Sequence, residues 1–117
     1  MNFTKTNFST YSVLTSNVEK LDSSNSAELK AEFVLINKSS VNTIILDLSH
    51  TKYCDSSGLS AILIGNRLCK DSSGKLIING LQPNVEKLIN ISQLDKVFVI
   101  FSRIRICQKF NLKLIYS

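Results

Sequence analysis

Thr43-Ile44-Ile45-Leu46-Asp47-Leu48-Ser49-His50-Thr51-Lys52-Tyr53-Cys54-Asp55-Ser56-Ser57-Gly58-Leu59 passes from one kind of order to another. Residues 43–48 are apolar and β-branched almost throughout, the pattern of a strand buried on both faces of a parallel sheet. Ser49–Cys54 is a short connection. Asp55-Ser56-Ser57-Gly58 then supplies helix-capping residues. Leu59, Ile62, Leu63 and Leu68 follow on one helical face, which predicts a helix to about Lys70, closed by Gly74. Lys75-Leu76-Ile77-Ile78-Asn79 is a second short buried strand, so the stretch opens a strand-helix-strand unit.

The flanks repeat this alternation. Downstream, Pro83 suits the first turn of a helix, with Val85, Leu88 and Ile89 inward, and residues 96–101 (Lys-Val-Phe-Val-Ile-Phe) read as a further core strand. Upstream, Leu29, Phe33 and Ile36 recur at helical spacing over about residues 25–38, after a loop at residues 21–26. Residues 3–8 and 10–15 suit an N-terminal hairpin. The predicted order is β-β-α-β-α-β-α-β: an α/β fold with a mixed four- to five-stranded sheet and helices packed against it.

The chain of 117 residues fits one domain, assigned to residues 1–101, followed by a basic extension over 102–117. Its formal charge is +5, yet residues 1–95 hold nine basic and nine acidic residues. The whole excess comes from Lys96, Arg103, Arg105, Lys109 and Lys113. A neutral body without an aromatic platform argues against direct nucleic-acid binding. No apolar run reaches the roughly 18 residues of a membrane span, and no signal peptide is visible at the N-terminus. Cys54, Cys69 and Cys107 read as free thiols in a reducing cytoplasm. They and the single His50 lack metal-ligand spacing. Ser73-Gly74-Lys75-Leu76 lacks the upstream glycine and hydroxyl of a phosphate-binding loop. No hydrolase elbow surrounds the serines. The expectation is a protein without a cofactor, a metal or an enzymatic activity.

Asp55-Ser56-Ser57-Gly58-Leu59 has two readings. One is a helix cap with a glycine for close approach. The other is a phosphoacceptor serine, since a phosphate at a helix start meets the dipole and free N–H groups and adds nearly two negative charges beside Asp55.

Together with Lys20-Leu21-Asp22, Ile44–Leu48, Tyr53–Leu63, Gly80-Leu81-Gln82-Pro83 and Ser92-Gln93-Leu94, this motif resembles the STAS domain of bacterial anti-sigma factor antagonists, over roughly residues 8–100. The resemblance implies a cytoplasmic module that binds an anti-sigma factor, itself a serine kinase, and so frees a sigma factor. It implies phosphorylation at Ser56, with Ser57 the neighbouring candidate, release on phosphorylation, and restoration by a serine phosphatase. Asp55 and Gly58 are expected to shape the loop. Asp22, Asp47, Ser57 and Leu59 join them on the partner surface, although Leu59 also suits core packing. Asp47, near a strand end, is expected exposed close to Ser56. Some STAS domains act instead as interaction modules in other signalling or transport-regulatory assemblies, with the serine silent.

The family commonly ends in an acidic amphipathic helix. Here Ile104, Ile106, Phe110, Leu112, Leu114 and Tyr116 alternate with other residues. Period two predicts an extended segment that seeks a sheet edge, in the same chain or through strand exchange into a homodimer.

Overall fold

Antiparallel pairing of the first two strands starts the sheet. In the computed structural model, which describes residues 1–39 and 41–103, β1 (Phe3–Asn7) pairs with β2 (Ser12–Ser16), Phe3 opposite Ser16 and Asn7 opposite Ser12. From β2 onward every neighbour is parallel. β4 (Thr43–Asp47) lies beside β2, β6 (Lys75–Leu81) beside β4, and β7 (Val99–Arg103) beside β6. The sheet order is β1-β2-β4-β6-β7. The crossovers are α1 (Ser26–Lys38), α2 (Ser56–Asp71) and α3 (Pro83–Ile91). The mixed five-stranded α/β architecture is the one predicted.

One face of this sheet carries the core. Leu14, Ile44, Leu46, Leu76 and Ile78 pack with Leu29, Phe33 and Ile36 of α1, Leu59, Ala61 and Ile62 of α2, and Val85 and Ile89 of α3. All three helices therefore stand on the same side. The alternate residues Ile45 and Ile77 are only half-buried and lie outside this cluster. The expectation that residues 43–48 are buried on both faces is corrected: burial alternates along β4. An unbroken apolar run conceals that alternation.

Three further differences have local causes. A second, two-stranded sheet joins β3 (Lys20–Leu21) to β5 (Tyr53–Cys54) in parallel, where the sequence suggests only loops. Two-residue strands are too short to show a period. The strand expected from Lys96 begins at Val99, because Gln93 adopts a left-handed conformation (φ 60°) and a 3-10 turn occupies Leu94–Lys96. β7 also runs on to Arg103, past the expected domain limit at residue 101. Finally, Ser73, not Gly74, supplies the left-handed residue (φ 65°) behind α2. Gly74 serves close approach instead, since a Cβ there would run into the Asn42 backbone. The expectations for residues 104–117 lie outside the described residues.

Candidate functional site

The start of α2 is mounted on a platform of two chain segments. Thr51 is fully buried, and its hydroxyl donates to the Val18 carbonyl (2.8 Å) and shares a hydrogen bond with Ser16 (2.7 Å). The Lys52 and Tyr53 amides donate to the Glu19 carbonyl, and the Asp55 amide to that of Leu21 (3.1 Å). Residues 51–55 are thus stitched to residues 16–21. Asn25, itself buried, clamps the other flank: its Oδ1 accepts from the Asp22 amide (3.0 Å) and its Nδ2 donates to the Lys20 carbonyl (2.9 Å).

On this platform Asp55 caps α2. Its backbone is extended and its Oδ1 accepts from the Gly58 amide at 3.0 Å, which satisfies one of the orphan donors of the first turn. Gly58 is buried against β3 and β5. A Cβ there would stand 2.5 Å from the Leu21 carbonyl oxygen and 2.8 Å from Cys54 Sγ. Leu59 is 7% exposed and belongs to the core. The side chains that reach the surface are those of Asp55 and Ser56, with Ser57 half-buried.

Beside this turn lies a hollow of about 210 Å³, lined by Lys20, Leu21, Asp22, Tyr53, Cys54 and Asp55. The Tyr53 ring is 46% exposed, and the Lys20 ammonium sits over it at 6.0 Å. Asp22 Oδ1 accepts from the Ser24 hydroxyl (2.6 Å) and amide (2.9 Å). These bonds hold its carboxyl below the ordinary value of 3.8, the Ser24 hydroxyl first. The Cys54 thiol is pushed up to about 12, by burial first and the Asp55 charge second, so it stays protonated and unreactive near neutral pH. Burial likewise raises Cys69 to about 11.

The structure brings Asp22, Asp55, Ser56 and Ser57 to one surface and places Gly58 and Leu59 beneath it. Asp47 is corrected. It is half-buried, pairs in register with Thr15 and Asn79, and takes the Ser49 amide on Oδ1 (3.0 Å). It does not line the hollow. Lys20 and Tyr53 do, although the sequence alone marks neither as a site residue. Among the described residues no group of three metal-ligating side chains occurs, and no helix is long and apolar enough to cross a membrane.

A family profile of the STAS domain matches residues 10–106. A Bordetella bronchiseptica protein, BtrV, named for an anti-sigma factor antagonist, is 27% identical over 78 residues, covering 67% of each chain. Among solved structures, a Thermotoga maritima protein described in the same terms superposes with TM-score 0.78 at 23% identity over 92% of each chain. The anti-sigma factor antagonist SpoIIAA, a Bacillus cell-fate determinant, superposes in its unphosphorylated form with TM-score 0.75 at 22% identity over 86% of each chain. Its phosphorylated form superposes with TM-score 0.69 at 20% identity, covering 86% of this chain and 89% of that one.

Proposed function

The chain belongs to the STAS domain family, and from that premise we propose that it is a cytoplasmic anti-sigma factor antagonist, docked through the start of α2 and switched by phosphorylation of Ser56. It acts by binding: an anti-sigma factor with serine kinase activity is held on the surface formed by Asp22, Asp55, Ser56 and the Lys20–Tyr53 rim, and the sigma factor is set free. The kinase then modifies Ser56, the complex separates, and a serine phosphatase restores the binding form.

The observation that carries this reading is the contrast between Ser56 and its surroundings. Ser56 is exposed at the first position of α2, while Ser57 is half-buried and Gly58 and Leu59 are buried. A kinase reaches Ser56 without unfolding the turn. A phosphate there is tolerated by the folded domain, because it meets the positive end of a 16-residue helix. It also puts nearly two negative charges beside Asp55, at a surface a partner must desolvate. Phosphorylation so placed changes docking while leaving the fold intact.

The test is incubation with the cognate anti-sigma kinase and ATP, followed by mapping of the modified residue and calorimetric titration. Phosphate is expected on Ser56 and absent from Ser56→Ala, which still binds. Ser56→Asp is expected to fold and to bind at least tenfold more weakly, about 1.4 kcal/mol. Binding without phosphate transfer, or equal affinity of wild type and Ser56→Asp, would instead mark a non-switching interaction module.

A further inference from the structure

A single cation lines the hollow beside the start of α2, and no carboxylate holds it. Lys20 is exposed, and among the described residues it makes no ion pair. Its Nζ rests over the Tyr53 ring at 6.0 Å, the outer limit of a cation–π contact and a weak one at an exposed site. The other charges lining the hollow are Asp22 and Asp55. Both are engaged elsewhere: Asp22 Oδ1 takes the hydroxyl and amide of Ser24, and Asp55 Oδ1 takes the Gly58 amide. The Lys20 ammonium is thus parked on a ring, where a stronger anion can draw it away.

On the reading that Ser56 is phosphorylated, we propose that Lys20 receives the phosphate: its ammonium leaves the Tyr53 ring and pairs with the phosphoserine, so that the rim offered to the partner is dismantled from within. Register brings the two groups together. Lys20 lies opposite Tyr53 and Leu21 opposite Cys54 in a parallel pair, and the Asp55 amide continues the contact by donating to the Leu21 carbonyl. Side chains alternate along a strand, so Lys20 and Tyr53 stand together at the hollow that Asp55 also lines. Ser56 follows Asp55 and is exposed. A strand spacing of about 4.8 Å and three residues of chain from Tyr53 put the Lys20 and Ser56 Cα atoms within about 12 Å. The flexible four-carbon stem of a lysine and a phosphate on a serine side chain close that gap between them. The exchange is favourable, because a phosphate brings nearly two negative charges and three strong acceptor oxygens against the face of one exposed ring. Charge-assisted hydrogen bonds are also roughly twice as strong as neutral ones. The pairing offsets the repulsion between the phosphate and Asp55. Lys52, next to Tyr53 in the chain, is exposed but does not line the hollow.

The experiment uses the full chain with phosphoserine installed at Ser56 during synthesis, which separates this pairing from the kinase reaction. A kinase that ignores Ser56 defeats the switch, whereas an unpaired phosphate defeats only the role of Lys20. Phosphorus NMR at about 0.15 M salt reads the second ionisation of the phosphate, ordinarily near about 6. A paired ammonium favours the dianion, so Lys20→Gln is expected to raise that value by roughly 0.5, and Lys20→Arg to keep it near wild type. The Tyr53 ring signals are expected to move with this ionisation in wild type and to stay still in Lys20→Gln. Lys52→Gln removes the same charge from the neighbouring surface and is expected to change the value little, since salt screens exposed charges that are not in contact. Equal values for wild type and Lys20→Gln, or equal rises from Lys20→Gln and Lys52→Gln, would overturn the proposal.

Discussion

Gly58 shows how one residue couples the proposed docking surface to the fold. Its missing Cβ lets α2 press onto the Leu21 carbonyl and Cys54 Sγ. Gly58→Ala introduces a methyl 2.5 Å from a backbone oxygen, which forces β3 and α2 apart. Overpacking of this kind costs roughly 1–3 kcal/mol. Urea unfolding is expected to show that loss, and an unchanged midpoint would mean the platform yields freely. Asp22 acts through charge instead. Its folded pKa is lowered, so its contribution is present above the unfolded carboxylate range and is lost as pH falls through the lowered folded value, below 3.8. The stability difference between wild type and Asp22→Asn is therefore expected to shrink as pH falls through that window. A difference independent of pH would show that the Ser24 bonds do not favour the charged form. Asp22 was legible as a loop acid. Its bond to Ser24 belongs to the local side-chain-to-backbone turns that Asp and Ser favour. The same chemistry joins the Asp47 carboxylate to the Ser49 amide at the end of β4.

At the scale of the element, α2 was readable from both ends of its apolar face, and Asp55 from its residue type. The cap bond to Gly58 makes this testable. Asp55→Ala is expected to lose about 1 kcal/mol, while Asp55→Asn retains most of the cap. Thermal unfolding of the two variants separates them. Equal stability of Asp55→Ala and wild type would show that the β3–β5 platform alone holds the first turn. That platform was not legible as structure. Lys20-Leu21 and Tyr53-Cys54 pair across more than thirty residues through two positions each, and no local periodicity announces such a contact. The same limit hid the Lys20–Tyr53 rim. Its two halves stand out in the sequence only as separate pieces of a resemblance, and the geometry joins them.

For the whole molecule, the apolar run over residues 43–48 gave the right strand in the right sheet but said nothing about which face the helices choose. That choice is a property of the crossovers, all of which fall on one side. It sets an energetic contrast between neighbouring residues. Leu46 is fully buried at the centre of the sheet among side chains from the helix layer. Leu46→Ala is expected to cost about 2–5 kcal/mol through lost transfer energy and a cavity that close-packed neighbours cannot fill. Against a total stability of about 5–15 kcal/mol for such a domain, it brings the protein near the edge of folding. Ile45, one residue earlier, is half-buried on the opposite face. Among the described residues no helix layer covers Ile45, so less of its apolar surface is removed from water than at Leu46. Ile45→Ala in the full chain is therefore expected to cost clearly less than Leu46→Ala. Urea midpoints measured at a common slope decide it. Equal losses would mean that both faces of β4 are packed to the same density, and would overturn the contrast drawn from burial.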